Sequence, residues 1–272
     1  MVSFVKTKEE IERIRKIIYP THFQYEALVV AFEIPEDFLT SILPPCFEPS
    51  RTSRIAKVQV SRWQSLRSGF DCAVVDLPAR HGDFEGWYHL THLISGDMPI
   101  TVGREMWGEA KKRGEMSLTV DGNKAHGYGE RNGVRLIEIE AELEEDTGPV
   151  VNLQNRIELK AFLSSDGQGL QYDPIVLRLE QNEYIDKLRP GKGTVTFRSS
   201  SADATGTIPV SKIVAVQHEV GTSTMGVLGE FPVAESREEY IPYVWGRSYD
   251  IDQTHEFKDQ TVLSRSGSFE AR

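Results

Sequence analysis

The stretch MSLTVDGNKAHGYGERNGVRLIEIEAEL, residues 116–143, decides the fold class. Two runs that favour strands, 116–120 and 124–129, flank the turn sequence Asp-Gly-Asn. A second turn sequence, Arg-Asn-Gly at 131–133, leads into the long strand predicted at 134–143. Glycine and asparagine supply the positive φ that tight hairpin turns need. The stretch therefore predicts consecutive antiparallel strands.

Further strand patterns lie on both sides of this stretch, because apolar residues alternate with polar ones or form short buried runs between turn residues. These predicted strands are 27–34, 55–63, 73–77, 87–94, 156–162, 174–180, 193–198 and 213–221. About ten strands with three or four short helices between them predict a mainly β (α+β) protein, built as an antiparallel barrel or a highly bent sheet.

Domain boundaries follow from the two ends of the chain. Residues 1–19 predict a helix with a Thr7/Glu10 capping box, which ends at Pro20 and which we interpret as a docking or capping helix rather than a partner-binding one. Residues 1–232 are expected to form one domain. Residues 233–272 are expected to form a C-terminal extension, whose aromatic residues cover the barrel or a neighbouring subunit and whose last dozen residues are mobile. These aromatic residues are Tyr240, Tyr243, Trp245 and Tyr249.

Composition excludes several classes of protein. The chain has 272 residues, a net charge of −10 and two cysteines, Cys46 and Cys72. A net negative charge argues against a nucleic-acid binder, and two cysteines cannot form a disulfide framework. We expect reduced thiols in a cytoplasmic protein, because no targeting or membrane-spanning segment is visible.

Histidines and acids gather in one part of the chain, with His89 and His92 three residues apart. On a strand, residues three apart face opposite sides, so we expect one core histidine, one surface histidine and no metal site. Charged residues flank turns nearby and could orient an anionic substrate or simply lie on the surface. They are Arg62, Arg67, Asp71 and Asp76.

The adjacent lysines Lys111 and Lys112 form the most specific candidate site. They follow Met106, Trp107 and Ala110 and precede a glycine turn. A solvated basic turn is the simplest interpretation of such a pair. However, desolvation and repulsion by a second ammonium both favour the neutral amine, which attacks ketones to form an imine.

Around these lysines the sequence resembles the acetoacetate decarboxylase family, whose enzymes use a lysine in this way. The matching segments, in order, are Trp87-Tyr88-His89, Pro99-Ile100-Thr101-Val102-Gly103-Arg104-Glu105 and Ala110-Lys111-Lys112-Arg113-Gly114. Weaker similarity extends over residues 20–232. The resemblance implies a bent antiparallel sheet that closes into a cone-shaped barrel with the lysine inside. It also implies that Lys111 forms the Schiff base, that Lys112 assists it, and that Arg104 and Glu105 position the pocket.

Two departures from the family pattern bear on the substrate. Tyr25 or Gln24 stands where the family has an arginine on an early strand, and residues 71–76 offer no glutamate in register. From these departures we expect decarboxylation of a β-keto acid larger than acetoacetate, with Tyr25 and Trp107 near the substrate. Outside the resemblance, Tyr243 and Trp245 of the C-terminal extension are candidates for further walls.

Two alternatives stay open. The same lysine could serve aldol condensation, dehydration or cyclisation in a biosynthetic pathway, or the chain could be a non-catalytic barrel that binds a small molecule. We expect no cofactor, no metal, no nucleic-acid or membrane partner, a small keto substrate and a homo-oligomer.

Overall fold

A computed structural model describes residues 3–65 and 69–251 of the chain. Strands dominate this part, which confirms the mainly β fold class. The strands are β1 (Thr21–Glu33), β2 (Glu48–Pro49), β3 (Ile55–Gln64), β4 (Gly69–His81), β5 (Phe84–Ile94), β6 (Lys111–Arg113), β7 (Glu115–Asp121), β8 (Lys124–Arg131), β9 (Val134–Leu143), β10 (Val150–Lys160), β11 (Ile175–Phe197) and β12 (Lys212–Pro232). The hairpins of residues 116–143 correspond to β7, β8 and β9.

The strands form one sheet that closes on itself. Its order is β10-β5-β4-β3-β1-β12-β11, and β11 pairs with β10 to complete the ring, while β9, β8 and β7 continue from β11 as a flap of hairpins. The expected bent, closing sheet is therefore present. It is not wholly antiparallel, because β5 pairs in parallel with both β10 and β6.

The two faces of the ring have different surroundings, as the alternation of side chains along β1 shows. Leu28, Val30 and Phe32 are fully buried in the main hydrophobic cluster, which also includes apolar residues of the flap. Tyr25, Ala27 and Val29 point to the opposite face and belong to a smaller cluster. The main core thus lies between the ring and the flap, and the second face is free to line a site.

The last two strands are longer than the sequence predicts. The predicted strands 174–180 and 193–198 are parts of the single strand β11, whose register shifts near Arg178 and Ile185. Its first half pairs with β10 and its last part with β9, so β11 belongs to both the ring and the flap.

Four α-helices lie in the described residues: α1 (Lys8–Ile18), α2 (Glu36–Ile42), α3 (Asp97–Val102) and α4 (Ile241–Ser248). The Thr7/Glu10 capping box of α1 is present, and no residue of α1 is buried; its role as a docking or capping helix stays a prediction. No described helix is both long enough and apolar enough to cross a membrane.

The beginning of the C-terminal extension belongs to the main core. Tyr240 is fully buried and Val244 nearly so, and both belong to the main hydrophobic cluster. A boundary at residue 232 therefore does not separate two packed units. The expectation of a mobile last dozen residues concerns residues outside the described ranges.

Candidate active site

Lys111 lies inside the ring, at the start of the short strand β6 (Lys111–Arg113). Its side chain is 6% exposed, and its Nζ lies 2.7 Å from Glu109 Oε2. The rings of Trp107 and Phe70 have their centroids 5.7 and 6.0 Å from Nζ, within the range of cation–π contacts. Lys111 is therefore a desolvated amine with one carboxylate partner and aromatic walls.

A turn rich in glycine brings this lysine into place. The chain leaves α3 through a π-helical turn, Gly103–Trp107, and a residue in the left-handed conformation, Gly108. A Cβ on Gly103 would overlap both Glu109 Oε2 and the Lys111 side chain. Glycine at position 103 is thus what allows the amine and its carboxylate to meet.

Two small chambers share Lys111, Phe23, Phe70 and Trp107 in their walls. The inner chamber has a volume of about 50 Å³, and every strand of the ring contributes to its lining. The side chamber has about 30 Å³ and is closed by Met98, Pro99 and Val102 around α3. The amine therefore lies between a polar interior and a small apolar space.

Titratable groups line the inner chamber beyond Glu109. The rings of His89 and His92 are 4.9 Å apart and both are buried, and both face Lys111 together with Glu109. The expectation of one core and one surface histidine was therefore wrong. A β-bulge explains it: Val75 pairs with Thr91 and Asp76 with His89, so Leu90 is an extra residue that turns both histidines to one face.

Burial, together with the positive charges of Arg156 and Lys111, lowers the pKa of His89 well below its ordinary value. Burial and then Lys111 do the same to His92. Both imidazoles are accordingly neutral near pH 7. Neither ring nitrogen of His92 has a hydrogen-bond partner within the described ranges, so this side chain can serve a bound molecule.

His89, in contrast, is fixed by its neighbours. Arg156 Nη1 lies 2.7 Å from His89 Nε2, and a guanidinium can only donate, so Nε2 accepts and Nδ1 carries the proton. That proton is donated to Glu158 Oε1. Burial raises the pKa of Glu158 well above its ordinary value. Titratable groups thus line the wall from Glu109 to Glu158, with His89 Nδ1 3.9 Å from the nearer Glu109 oxygen.

Arg156 supplies the positive charge that β1 lacks. Its guanidinium is buried and forms an ion pair of 2.9 Å with Asp76, while Nε donates to Gln181. Asp76 is one of the four charged residues that could orient a substrate. It belongs to the site because it forms this ion pair with Arg156. Arg62 contacts Glu26 and the Leu118 carbonyl instead, and Arg67 lies outside the described residues.

The other predicted site residues separate into two groups. Trp107 lines both chambers, and Arg104 lies near the carbonyls of Lys111 and Ser248, 3.4 Å from each, where it can position the lysine backbone. Tyr25 stacks on Trp63 and donates to Glu219, and Phe23 takes the wall position beside the lysine. Glu105 is exposed.

Tyr243 and Trp245 do not line the Lys111 chambers either.

Lys112 points away from Lys111, because successive residues of a strand face opposite sides. Its Nζ lies 2.5 Å from Asp203 Oδ2 and 3.0 Å from Asp250 Oδ1. Although burial opposes ionisation of Asp203, Lys112 lowers the pKa of that carboxyl. The structure does not bring the two ammonium groups together, and it gives Lys112 a structural ion-pair network instead of an unbalanced charge beside the amine.

Sequence reasoning missed Glu109 and Arg156. Glu109 gave a local signal, because it lies two residues before Lys111; a tight turn, in which the Lys111 N–H donates to the Glu109 carbonyl, brings the two side chains together. Arg156 gave only a weak signal, a charge within an apolar strand pattern, since nothing in the sequence shows that β10 closes the ring. Both cysteines are free, and burial raises the pKa of the Cys72 thiol to about 11.

A family model for acetoacetate decarboxylase matches residues 8–230. The chain belongs to the acetoacetate decarboxylase family. Curated protein sequences yield no match. Among solved structures, the acetoacetate decarboxylase of Legionella pneumophila is similar, with 19% identity, a TM-score of 0.67, and coverage of 79% of this chain and 87% of that one.

Two further solved structures share the family fold. The enduracididine biosynthesis enzyme MppR, complexed with pyruvate, has 17% identity, a TM-score of 0.64, and coverage of 78% of this chain and 90% of its own. An acetoacetate decarboxylase-like enzyme from Sphingomonas wittichii RW1 has 13% identity, a TM-score of 0.63, and coverage of 78% and 92%. These similarities concern the fold.

Proposed function

We propose that this family member is a Schiff-base enzyme that acts on a small keto acid through an imine on Lys111. The observation that carries the proposal is the buried Lys111 amine, held beside Glu109 and walled by Trp107 and Phe70. Such a position excludes bulk water and holds the Lys111 nitrogen in the wall of both chambers, within reach of a bound ketone carbon. The amine adds to the ketone carbon, and loss of water gives the iminium.

The first candidate reaction is decarboxylation of a β-keto acid larger than acetoacetate. The bond to the carboxylate carbon breaks, its electron pair moves toward the iminium nitrogen, and CO₂ leaves. The resulting enamine takes a proton, and water releases the ketone product and Lys111. The apolar side chamber around Val102 supports this candidate, because it offers space for an alkyl end that acetoacetate does not have.

A second candidate is aldol condensation followed by dehydration, and the inner chamber supports it specifically. Here a base removes a proton from the carbon next to the iminium, and the enamine then attacks an aldehyde. Decarboxylation generates the enamine without any base. His92, Glu109 and His89 provide more proton-transfer groups than decarboxylation needs. Arg156 places a positive charge near the position that a substrate carboxylate would take.

The test is borohydride reduction of the protein mixed with a keto acid, followed by intact and peptide mass measurement. Suitable probes are acetoacetate, 3-oxohexanoate and pyruvate, the last because the similar enzyme MppR has been obtained with pyruvate and with its condensation product with imidazole 4-carboxaldehyde. We expect the added mass on Lys111 and none in Lys111→Ala. Lys112→Arg is the matched control and should keep the adduct.

Product analysis then separates the candidates. Release of CO₂ from 3-oxohexanoate exceeding that from acetoacetate supports the first reaction. A condensation product from pyruvate and imidazole 4-carboxaldehyde, without CO₂ from either β-keto acid, supports the second. An adduct that persists in Lys111→Ala, or no adduct with any probe, contradicts the proposal and favours the non-catalytic binding barrel. Cytoplasmic location and homo-oligomer formation stay predictions.

A further inference from the structure

A second and larger cavity lies on the other face of β5 and β6, away from Lys111. It is bounded by α2, by the short 3₁₀ turn Thr205–Thr207 and by α4, and its volume is about 640 Å³. We name it the α2–α4 pocket. Pockets for small molecules generally have volumes of about 300–1,000 Å³. The volume of the α2–α4 pocket is thus within the range of small-molecule sites.

The walls of the α2–α4 pocket are mostly apolar. They include Phe38, Ile42, Leu90, Ile208 and Tyr243. Leu90 is the extra residue of the β-bulge, so the irregularity that turns both histidines toward Lys111 also turns Leu90 and Thr91 toward this pocket. An aliphatic chain or an aromatic ring fits such walls by burial of apolar surface.

One polar atom in this apolar setting lacks a partner. The Thr91 side chain lines the pocket and the residue is only 7% exposed, yet its Oγ1 makes no hydrogen bond within the described ranges. A buried hydroxyl without a partner costs free energy that a ligand oxygen would recover. Thr91 therefore places an unpaired hydroxyl in the apolar wall of the pocket, next to the space that a ligand would fill.

Arg247 provides an unbalanced positive charge at the same pocket. Its guanidinium donates to the Tyr88 hydroxyl and the Gly108 carbonyl, and no carboxylate lies within ion-pair distance of it in the described part of the chain. Burial raises the pKa of the neighbouring Glu158 well above its ordinary value, so that carboxyl is a weak counter-ion. Glu239, at the rim, bonds to the Ser236 backbone.

Apart from Glu239, the other charges at the pocket pair with one another. Lys112 and Arg131 contact Asp203 and Asp250, which gives two cations and two carboxylates in one network. Arg247 is thus the charge that a ligand can neutralise, and guanidinium groups bind carboxylates well.

We propose that the α2–α4 pocket is a second ligand site, which takes a monocarboxylate with an apolar body, such as a medium-chain aliphatic or an aryl acid. The carboxylate binds Arg247 and the Thr91 hydroxyl, and the apolar body packs against Phe38, Ile42 and Leu90. No step of this binding uses an imine. The site is independent of the proposed reaction, because β5 and β6 separate it from the Lys111 amine.

Isothermal titration calorimetry of the full chain with octanoate tests this site, with 1-octanol as the uncharged probe of equal length. We expect saturable octanoate binding that Lys111→Ala leaves unchanged. Leu90→Trp and Ile42→Trp fill the pocket and should each weaken octanoate binding at least tenfold. Leu228→Trp, on an exposed part of β12, is the matched control and should have no effect.

Arg247→Gln should weaken octanoate at least tenfold and leave 1-octanol unchanged, and Thr91→Val should weaken octanoate several-fold. Thermal unfolding of each variant shows that it is folded. Three results overturn the proposal: no saturable octanoate binding, unchanged binding in both filling variants, or binding lost in Lys111→Ala. The last result would place octanoate in the Lys111 chambers. Borohydride trapping tests the imine on Lys111 independently, so the two proposals can fail separately.

Discussion

His92 is a buried, neutral side chain of the inner chamber, and neither of its ring nitrogens has a hydrogen-bond partner within the described residues. His89 is fully engaged by Arg156 and Glu158. A neutral imidazole near a developing enamine is suited to take or give a proton. We therefore assign proton transfer at the substrate carbon to His92.

His92→Asn should slow exchange of the pyruvate methyl protons in D₂O about 10²-fold, the lower range for loss of a general base. The borohydride adduct on Lys111 should still form, because His92 takes no part in the attack by the amine. Nuclear magnetic resonance follows the exchange directly. His22→Asn, an exposed substitution, is the matched control. Equal exchange in His92→Asn and the unmodified chain would assign the proton to another group.

Lys112 makes a second prediction at the scale of one residue. Lys112→Met removes the cation between Asp203 and Asp250 and leaves Arg131 as the one cation of this network beside two buried carboxylates. Loss of one partner of a buried ion pair costs about 3–5 kcal/mol. The free energy of unfolding in urea should fall by that amount, and Lys112→Arg should lose much less. A decrease below about 1 kcal/mol for Lys112→Met would show that water reaches the carboxylates.

At the scale of elements, the turn between α3 and β6 is the most constrained part of the site. Gly108 has φ = +74°, and an added Cβ would come within 2.5 Å of the Lys160 Cα on β10. Gly122, in the β7–β8 turn, has φ = +61° and open space around it. Alanine substitutions at these two glycines therefore distinguish the energetic cost of a positive φ from the energetic cost of a collision with β10.

Gly122→Ala should lower the free energy of unfolding by about 1 kcal/mol, the cost of a left-handed alanine. Gly108→Ala adds a backbone collision, so we expect a loss of about 3 kcal/mol or more, together with loss of the Lys111 adduct. Urea denaturation and borohydride trapping measure both effects. Equal destabilisation by the two substitutions would mean that β10 moves aside without harm.

Local sequence predicted some structural elements correctly but could not predict those that depend on a distant partner strand. The hairpins of residues 116–143 were predictable, because turn residues and alternation are local properties. The bulge at Leu90 was not, since the extra residue has meaning only relative to its partners Val75 and Asp76 on β4. The burial of Lys111 was predictable from a local motif, whereas Arg156 reaches the site only through closure of the ring.

At the scale of the whole molecule, buried histidines and buried glutamates change the free energy of unfolding with pH in opposite directions. His89 and His92 have lowered pKa values, so below about pH 6.5 the unfolded chain binds protons that the native chain does not, and stability falls as pH falls. Burial raises the pKa of Glu158, and that of Glu219 to about 7. Above about pH 4.5 the native chain keeps protons that the unfolded chain loses, so this contribution falls as pH rises.

Between about pH 5 and 6.5 the free energy of unfolding should consequently change little with pH. His92→Asn should make the chain more stable as pH falls, and Glu158→Gln should make it less stable as pH falls, each with a slope of up to about 1.4 kcal/mol per pH unit. Urea unfolding at several pH values measures these slopes. Slopes of the same sign in both variants would contradict the assigned linkage.

The long strand β11 has a consequence for any attempt to divide the protein. One continuous run of backbone completes the ring with β10 and carries the flap through β9. A chain cut within β11 would leave each fragment with an unpaired sheet edge, a surface that attracts other strands. Split reporters and circular permutants of this protein should therefore be opened in the β7–β8 or β8–β9 turns, where no element is shared.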